Sequence, residues 1–223
     1  MVIVIPFHSS RGCLSYLVAD QKTREALLVD PSEEIAKEDY LSRIKEEGYQ
    51  LRYIIETHTH ADHVSSASLI QTATGAKIVR HHAAPSQRKD IPAYDGDTLT
   101  LGELKLRIIE TPGHTDESIS VSAPGIIFTG DVLLIDATGR TDFQRGSSRK
   151  EYESIWQKIL SLPDETIVYP AHDYKGRIQT TIKEERTMNP RLKWSEEEFI
   201  TTMDNYHPEL PELFEEAIAK NSI

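Results

Sequence analysis

An αββα sandwich is the fold class the sequence predicts, on three observations. The 223 residues hold two β-rich halves, each with helical stretches between its strands. That order of elements packs two sheets face to face and places helices outside them. Short polar strings rich in His and Asp close several of the β-rich runs, and ligands gather where strands end in loops. Hydrophobic residues make up 38% and charged residues 27%, a globular composition at a length that buries a core as one domain. Periodicity alone supports only a mixture of α and β.

Val2–Phe7, Leu14–Val18 and Ala26–Asp30 open the chain as short β-rich runs. Ser32 stands as an N-cap with Glu34 close behind, predicting a helix to about Glu47. Its apolar positions Ile35, Tyr40, Leu41 and Ile44 share a face, and Gly48 ends it. Leu51–Glu56 is a compact strand, followed at once by the polar string Thr57–His63. Val64–Thr72 is predicted as a helix closed by Gly75, and Lys77–Arg80 as a strand. Thr98–Thr100 and Leu104–Glu110, split by Gly102, read as a hairpin. Ile119–Val121, Ile126–Phe128 and Val132–Ile135 read as further strands. Ser148–Leu160 alternates as an amphipathic helix, and Thr166–Tyr169 is a strand running into Pro170-Ala171-His172. From about Ile178 the chain is predicted helical, with stops at Pro190, Pro208 and Pro211. Residues 1–223 read as a single domain, with 189–223 a short acidic helical C-terminal extension.

Composition narrows the partners. The longest apolar runs, such as Val132–Ile135, are far too short to span a membrane, so no membrane partner is expected. Met1–Pro6 reads as a first strand, since it has neither a basic flank nor a small-residue cleavage site. The single cysteine, Cys13, excludes an internal disulfide and any Cys-based zinc or iron–sulfur site. It is expected to be a small buried residue, and a cytoplasmic setting is compatible with it. The net charge of -11 argues against nucleic acid, which needs a basic surface. Eight acids and one Lys between Ser195 and Ile223 read as a solvated helical tail. Its apolar positions Phe199, Met203, Leu213, Phe214 and Ile218 are expected to pack on the same domain, a homodimer being the other option. Gly139–Lys150 instead carries Arg140, Arg145, Arg149 and Lys150 against one acid, Asp142. A basic patch on an acidic protein points to an anionic ligand.

Five of the nine His fall in three polar strings. These are Thr57-His58-Thr59-His60-Ala61-Asp62-His63, Thr111-Pro112-Gly113-His114-Thr115 and Pro170-Ala171-His172-Asp173, and Thr129-Gly130-Asp131 adds a carboxylate. His58 and His60 alternate on an extended backbone and can point the same way, and Asp62 and His63 follow as the chain turns. Imidazole and carboxylate are the ligands expected for Zn, Fe or Mn. A lone His is more often a core or capping residue, but four ligand-type side chains within six residues outweigh that reading. His8, His81, His82 and His207 lack the spacing and are expected to be structural or solvated.

His58-x-His60-x-Asp62-His63, followed by His114, Asp131 and His172, resembles the metallo-β-lactamase superfamily over nearly the whole chain. Three further stretches resemble the persulfide dioxygenase (sulfur dioxygenase) family within it: Gly139-Arg140-Thr141-Asp142-Phe143-Gln144-Arg145-Gly146, Pro170-Ala171-His172-Asp173-Tyr174-x-Gly176, and Glu184-Glu185-Arg186-Thr187-Met188-Asn189-Pro190-Arg191-Leu192. Thr115-Asp116-Glu117-Ser118 and Asp136-Ala137-Thr138 depart from stretches that carry Gly and Cys in other members, without loss of a ligand.

The resemblance implies the αββα sandwich and one Fe(II) held by His58, His114 and Asp131. Two His and one carboxylate leave adjacent positions open on the metal. His60, Asp62, His63 and His172 would then surround and orient the ligands, or bind a second metal. The implied reaction turns a thiol persulfide, glutathione persulfide first, with O₂ and water into thiol and sulfite, as in sulfur metabolism and hydrogen sulfide detoxification. A glyoxalase II type thioesterase would use the same residues for two zinc ions: His58, His60 and His114 on one, Asp62, His63 and His172 on the other, with Asp131 bridging. Two features favour the dioxygenase: the Gly139–Gly146 stretch, and a chain too short for the helical glutathione-binding domain of typical glyoxalase II enzymes. The substrate's carboxylates need cations, for which Arg140 is the first candidate and Arg145, Lys175 and Arg177 follow. Tyr174 is placed to donate a hydrogen bond to the tripeptide.

Overall fold

The computed structural model describes residues Met1–Ile223. Two six-stranded sheets carry the chain in sequence order. The first holds β1 (Val2–His8), β2 (Leu14–Asp20), β3 (Glu25–Val29), β4 (Gln50–Ile55), β5 (Lys77–His81) and β6 (Ile91–Ala93), side by side in that order. It is antiparallel from β1 to β3 and parallel from β3 to β6. The second holds β7 (Thr98–Leu101), β8 (Leu104–Glu110), β9 (Ile119–Ala123) and β10 (Ile126–Gly130) as an antiparallel meander. Beyond the two-residue strands β11 (Leu133–Leu134) and β12 (Ala137–Thr138), strand β13 (Ile167–Pro170) joins β10 in parallel, and β14 (Thr180–Thr181) closes the edge.

The two periods of β2 show why this is a sandwich. Leu14, Tyr16 and Val18 face the second sheet and pack with Ile108, Val121 and Phe128. Leu17 and Ala19 point the other way, onto α1 (Lys37–Glu46) and α2 (Ala67–Thr74) through Tyr40, Ile44 and Ile70. A strand buried on both faces has to be apolar throughout, and each large side chain so buried stabilises the fold by about 1.5–3 kcal/mol. Ile127 and Val168 line the outer face of the second sheet. Against them pack α3 (Ser148–Glu153), its π-helical continuation Ser154–Ile159, α4 (Ile182–Met188) and α5 (Glu196–Asp204), with Phe199 and Met203 fully buried. The result is the predicted αββα order.

Several element boundaries differ from expectation, each for a local reason. The first helix starts at Lys37, not Ser32. Ser32 closes a turn onto the Glu34 amide, and its backbone bridges to Ser65. The second helix starts at Ala67 rather than Val64 and runs to Thr74. Val132–Ile135 is not one strand: Leu133–Leu134 folds back on Ala137–Thr138 across Asp136, whose φ is +60°. Ser148–Leu160 changes from α to π winding at Ser154, whose hydroxyl donates to the Pro112 carbonyl just ahead of His114. β6 has no counterpart in the sequence reading; it is a three-residue edge strand containing Pro92. The region from Ile178 opens with the short strand β14 before its helices. α6 (Phe214–Asn221) carries Asn221, which is buried, so the acidic tail is not simply solvated.

Candidate metal centre

The site forms because four strands end together. β8, β10 and β13 run in the same direction in the second sheet and deliver His114, Asp131 and His172 just past their ends. From the first sheet, β4 delivers His58 to His63. The β1–β2 turn ties the sheets together there, through Leu14 N–H to the Ala171 carbonyl (2.7 Å) and Asp173 N–H to the Gly12 carbonyl (3.0 Å). Gly130 makes close approach possible. Its φ of +55° disfavours other residues, and a Cβ would stand 2.5 Å from Thr57 Oγ1 and 3.4 Å from His58 Nδ1.

His58, His114 and Asp131 come together. Both His Nε2 atoms lie 3.8 Å from Asp131 Oδ2, and the three donor atoms fit within 4.8 Å. Thr57 Oγ1 donates to Asp30 Oδ2 (2.8 Å), so it accepts from His58 Nδ1–H (3.0 Å). His114 Nδ1 donates to the Arg140 carbonyl (2.7 Å). Each contact fixes the proton on Nδ1 and turns an Nε2 toward Asp131. His58 Nε2 is buried and has no hydrogen-bond partner. Burial, with His60 close by, holds the His58 imidazole well below its usual range, so it is neutral. A buried, unpartnered imidazole nitrogen beside a second imidazole and a carboxylate is a donor set that fits a divalent transition metal.

Asp62, His63 and His172 form a second group, joined by Cys13. His172 donates from Nδ1 to Asp131 Oδ1 (2.6 Å) and from Nε2 to Asp62 Oδ2 (2.7 Å). Burial opposes its charge, but two carboxylates override burial and hold it well above the usual imidazole range. Burial likewise acts to lower His63 and is outweighed by Asp62 at 3.1 Å, which raises it to about 10. For Asp131, burial alone would raise the carboxyl; the His172 contact overcomes that and holds it well below the carboxylate range. His60 lies between the groups and belongs to neither cluster. Burial pushes it down to about 3, and its Nε2 lies 3.2 Å from Asp30 Oδ1 without a hydrogen bond.

Two participants escaped the sequence reading. Cys13 is buried as expected, yet its Sγ lies 3.6 Å from both Asp62 Oδ2 and His63 Nδ1. Asp30 accepts from the Thr57 backbone and hydroxyl and so steers His58. A carboxylate at the end of the run Ala26–Asp30 was its only local signal.

A cavity of about 400 Å³ opens over Asp131, His114 and His172 and is walled by Phe143, Tyr174 and Arg191. Arg140 also lines it, but its guanidinium is engaged: bidentate on Asp142 (2.7 Å to each oxygen), with further bonds to the carbonyls of Pro208 and Glu209. Arg145, Lys175 and Arg177 do not reach the cavity. Arg145 pairs with Asp116 on the surface, and Lys175 and Arg177 both lie against Asp136, Arg177 also holding Asp173. Arg191 is the cation the sequence reading passed over. It stands within the quoted Asn189-Pro190-Arg191-Leu192 string, and its Nη1 donates to Thr138 and Gly139 while Nη2 and Nε donate to no protein acceptor. His81, His82 and Glu110 gather outside the cavity. There Ala83 N–H donates to His81 Nδ1 and His81 Nε2–H donates to Glu110, so no His81 lone pair is free for a metal. No helix is long and apolar enough to cross a membrane.

The model of the metallo-beta-lactamase superfamily matches residues 10–172. Human persulfide dioxygenase ETHE1, mitochondrial, is 40% identical over 210 residues, covering 93% of this chain and 82% of that protein. The crystal structure of ETHE1 from Myxococcus xanthus superposes with a TM-score of 0.94 at 38% identity, covering 99% of this chain and 98% of that one. A hydroxyacylglutathione hydrolase from Polaromonas is 28% identical, covering 89% of this chain and 88% of that protein. The chain belongs to the metallo-beta-lactamase superfamily and, within it, to the persulfide dioxygenase family.

Proposed function

We propose that this protein is an iron-dependent persulfide dioxygenase acting on glutathione persulfide or a related low-molecular-weight thiol persulfide. The overall change is persulfide, O₂ and water to thiol, sulfite and two protons. The observation that carries the iron reading is geometric: His58, His114 and Asp131 bring three donor atoms within 4.8 Å of one another, a set of two imidazoles and one carboxylate. The Nε2 atoms of His58 and His114 both face Asp131 Oδ2 at 3.8 Å, whereas His172 makes hydrogen bonds at both nitrogens, to Asp131 and to Asp62. A two-zinc hydrolase would need His60 in one ligand set with His58 and His114, and the His60 donor atoms do not join that group.

His58, His114 and Asp131 would hold Fe(II), which when bound supplies adjacent positions for persulfide sulfur and O₂. His172 fixes the Asp131 carboxylate through the 2.6 Å bond at the cavity floor. Phe143 and Tyr174 wall the cavity, and Arg191 offers its spare donors to a substrate carboxylate. The 40% identity to a protein named as a persulfide dioxygenase supports the substrate class. A cytoplasmic location is part of the proposal, and the single cysteine is compatible with it. The test is elemental analysis of anaerobically purified protein together with oxygen uptake and sulfite formation on glutathione persulfide. About one iron per chain with O₂-dependent sulfite is expected. Paired zinc with thioester hydrolysis and no oxygen uptake would establish the hydrolase instead.

A further inference from the structure

The segment His58–His63 carries four site residues, yet it makes no backbone–backbone hydrogen bond of its own. The last such bonds flank it, at the Thr57 carbonyl (from Ile119) and the Val64 carbonyl (from Glu33). Inside the segment, side chains from three other parts of the chain do the holding. Glu117 accepts from Thr59 N–H (2.7 Å) and Gln144 donates to the Thr59 carbonyl (2.6 Å). Asn221 of α6 donates to the carbonyls of both His60 and His63 (2.9 Å each) and accepts from Ser65 N–H (2.9 Å).

Asn221 is 3% exposed, so its polar atoms have these backbone groups and not water as partners. Its amide can point only one way, because a flipped oxygen would face two carbonyls. Its own carbonyl accepts from Arg80 Nη1 (3.0 Å), Arg80 reaches Glu56 (3.3 Å), and Glu56 accepts from Ser65 Oγ (2.6 Å). That circuit grips the chain on both sides of His58–His63 and ends on α6.

We propose that Asn221 is a positioning residue for the metal centre. Its two donated hydrogen bonds set the backbone of the ligand-bearing segment, so that docking of α6 and retention of metal are one coupled equilibrium. Neither bond touches the cavity, and the effect passes through the direction in which His58, His60 and His63 leave the backbone. A residue bonded to a ligand segment in this way controls metal affinity by about tenfold to a hundredfold. By linkage, bound metal must tighten α6 on the domain by the same factor.

The inference rests on the metal-centre reading, and the experiment separates the two. The full chain is loaded with Co(II), and its visible spectrum and its release of Co(II) to a chelator are followed. Asn221→Ala removes all three bonds. Asn221→Asp, the same shape, keeps the acceptor for Ser65 but cannot donate to the two carbonyls when ionised. Ser86→Ala removes a different contact of the same region, the hydroxyl bond to the Ile223 carbonyl, and leaves His58–His63 untouched. Both Asn221 variants are expected to release metal at least about tenfold faster with an altered spectrum, and Ser86→Ala within about twofold of wild type. Release unchanged in either folded Asn221 variant overturns the proposal. So does equal acceleration in Ser86→Ala, because loose helix docking would then be the cause. Failure of the wild-type chain to hold Co(II) at all would strike the metal-centre reading itself.

Discussion

The two halves of the site are built from the same residue types and end on different hydrogen-bond partners. In His58 and His114, the Nδ1 protons go to a hydroxyl and a peptide carbonyl, both neutral acceptors. Their Nε2 atoms are thereby turned toward Asp131. In His172 both nitrogens meet carboxylates, and the two carboxylates outweigh burial and hold the ring well above the usual imidazole range. What distinguishes a ligand imidazole from a charged imidazolium here is the atom on the far side of the ring. Cys13, Asp62 and His63 extend the charged half, and Asp131 is shared, with Oδ2 toward the two ligand His and Oδ1 on His172.

Asp131→Ala should break this division most completely. It removes the carboxylate common to both halves, and metal content is expected to fall from about one to near zero, with oxygen uptake down by about a thousandfold or more. His172→Gln should separate the halves: metal stays near wild type while turnover falls by about tenfold to a hundredfold, the usual range for a residue that orients a ligand. Equal metal loss in the two variants would mean that His172 is itself a ligand. Elemental analysis beside oxygen uptake decides it.

The cavity wall sharpens the contrast further. Arg191→Ala is expected to raise KM for glutathione persulfide about tenfold, since a charged hydrogen bond is worth about 1.5–3 kcal/mol, while a small uncharged persulfide is little affected. Arg140→Ala should act in the opposite sense. It releases Asp142 and the Pro208–Glu209 segment, so the melting temperature falls by a few degrees with a smaller change in KM. Equal KM effects in the two variants would return the substrate role to Arg140.

The smallest effect concerns Glu151, packed behind His114, where Gly113 leaves no room for a Cβ. Both its carboxylate oxygens are buried without a partner, and burial holds its pKa well above the usual range. A carboxyl raised in the folded state favours folding below its unfolded pKa, near 4.5, and that stability is lost as pH climbs toward the folded value. Glu151→Gln should therefore flatten the fall in stability as pH rises above about 4.5, leaving metal content unchanged. A variant with the same pH slope as wild type would show that Glu151 is ionised in the folded protein. Denaturant midpoints across that range measure it.

Much of this was legible locally. Leu14–Val18 and Ala26–Asp30 are apolar enough to be strands buried on both faces, and His58-x-His60-x-Asp62-His63 announces metal chemistry through four ligand-type side chains in six residues. The helix start was misplaced because Ser32 makes a turn with Glu34 and a bridge to Ser65, the second of these a contact distant in sequence. Arg140 looked like the substrate cation because charge and position can be read from sequence, whereas the occupancy of its donors by Asp142, Pro208 and Glu209 cannot.

The sequence by itself determined a mixed α and β chain and the ligand-type residues in its polar strings, because periodicity and ligand type are properties of neighbouring residues, and the family resemblance carried the sandwich. Tertiary structure alone decided which nitrogen of His58 and His114 faces Asp131 and which imidazole sits between two carboxylates. It also brought Cys13 and Asp30 to the site and placed Asn221 against a segment about 160 residues earlier in the chain. Protonation and tautomer follow from the second partner of each ring and from burial, and both arise only when the ends of β4, β8, β10 and β13 meet.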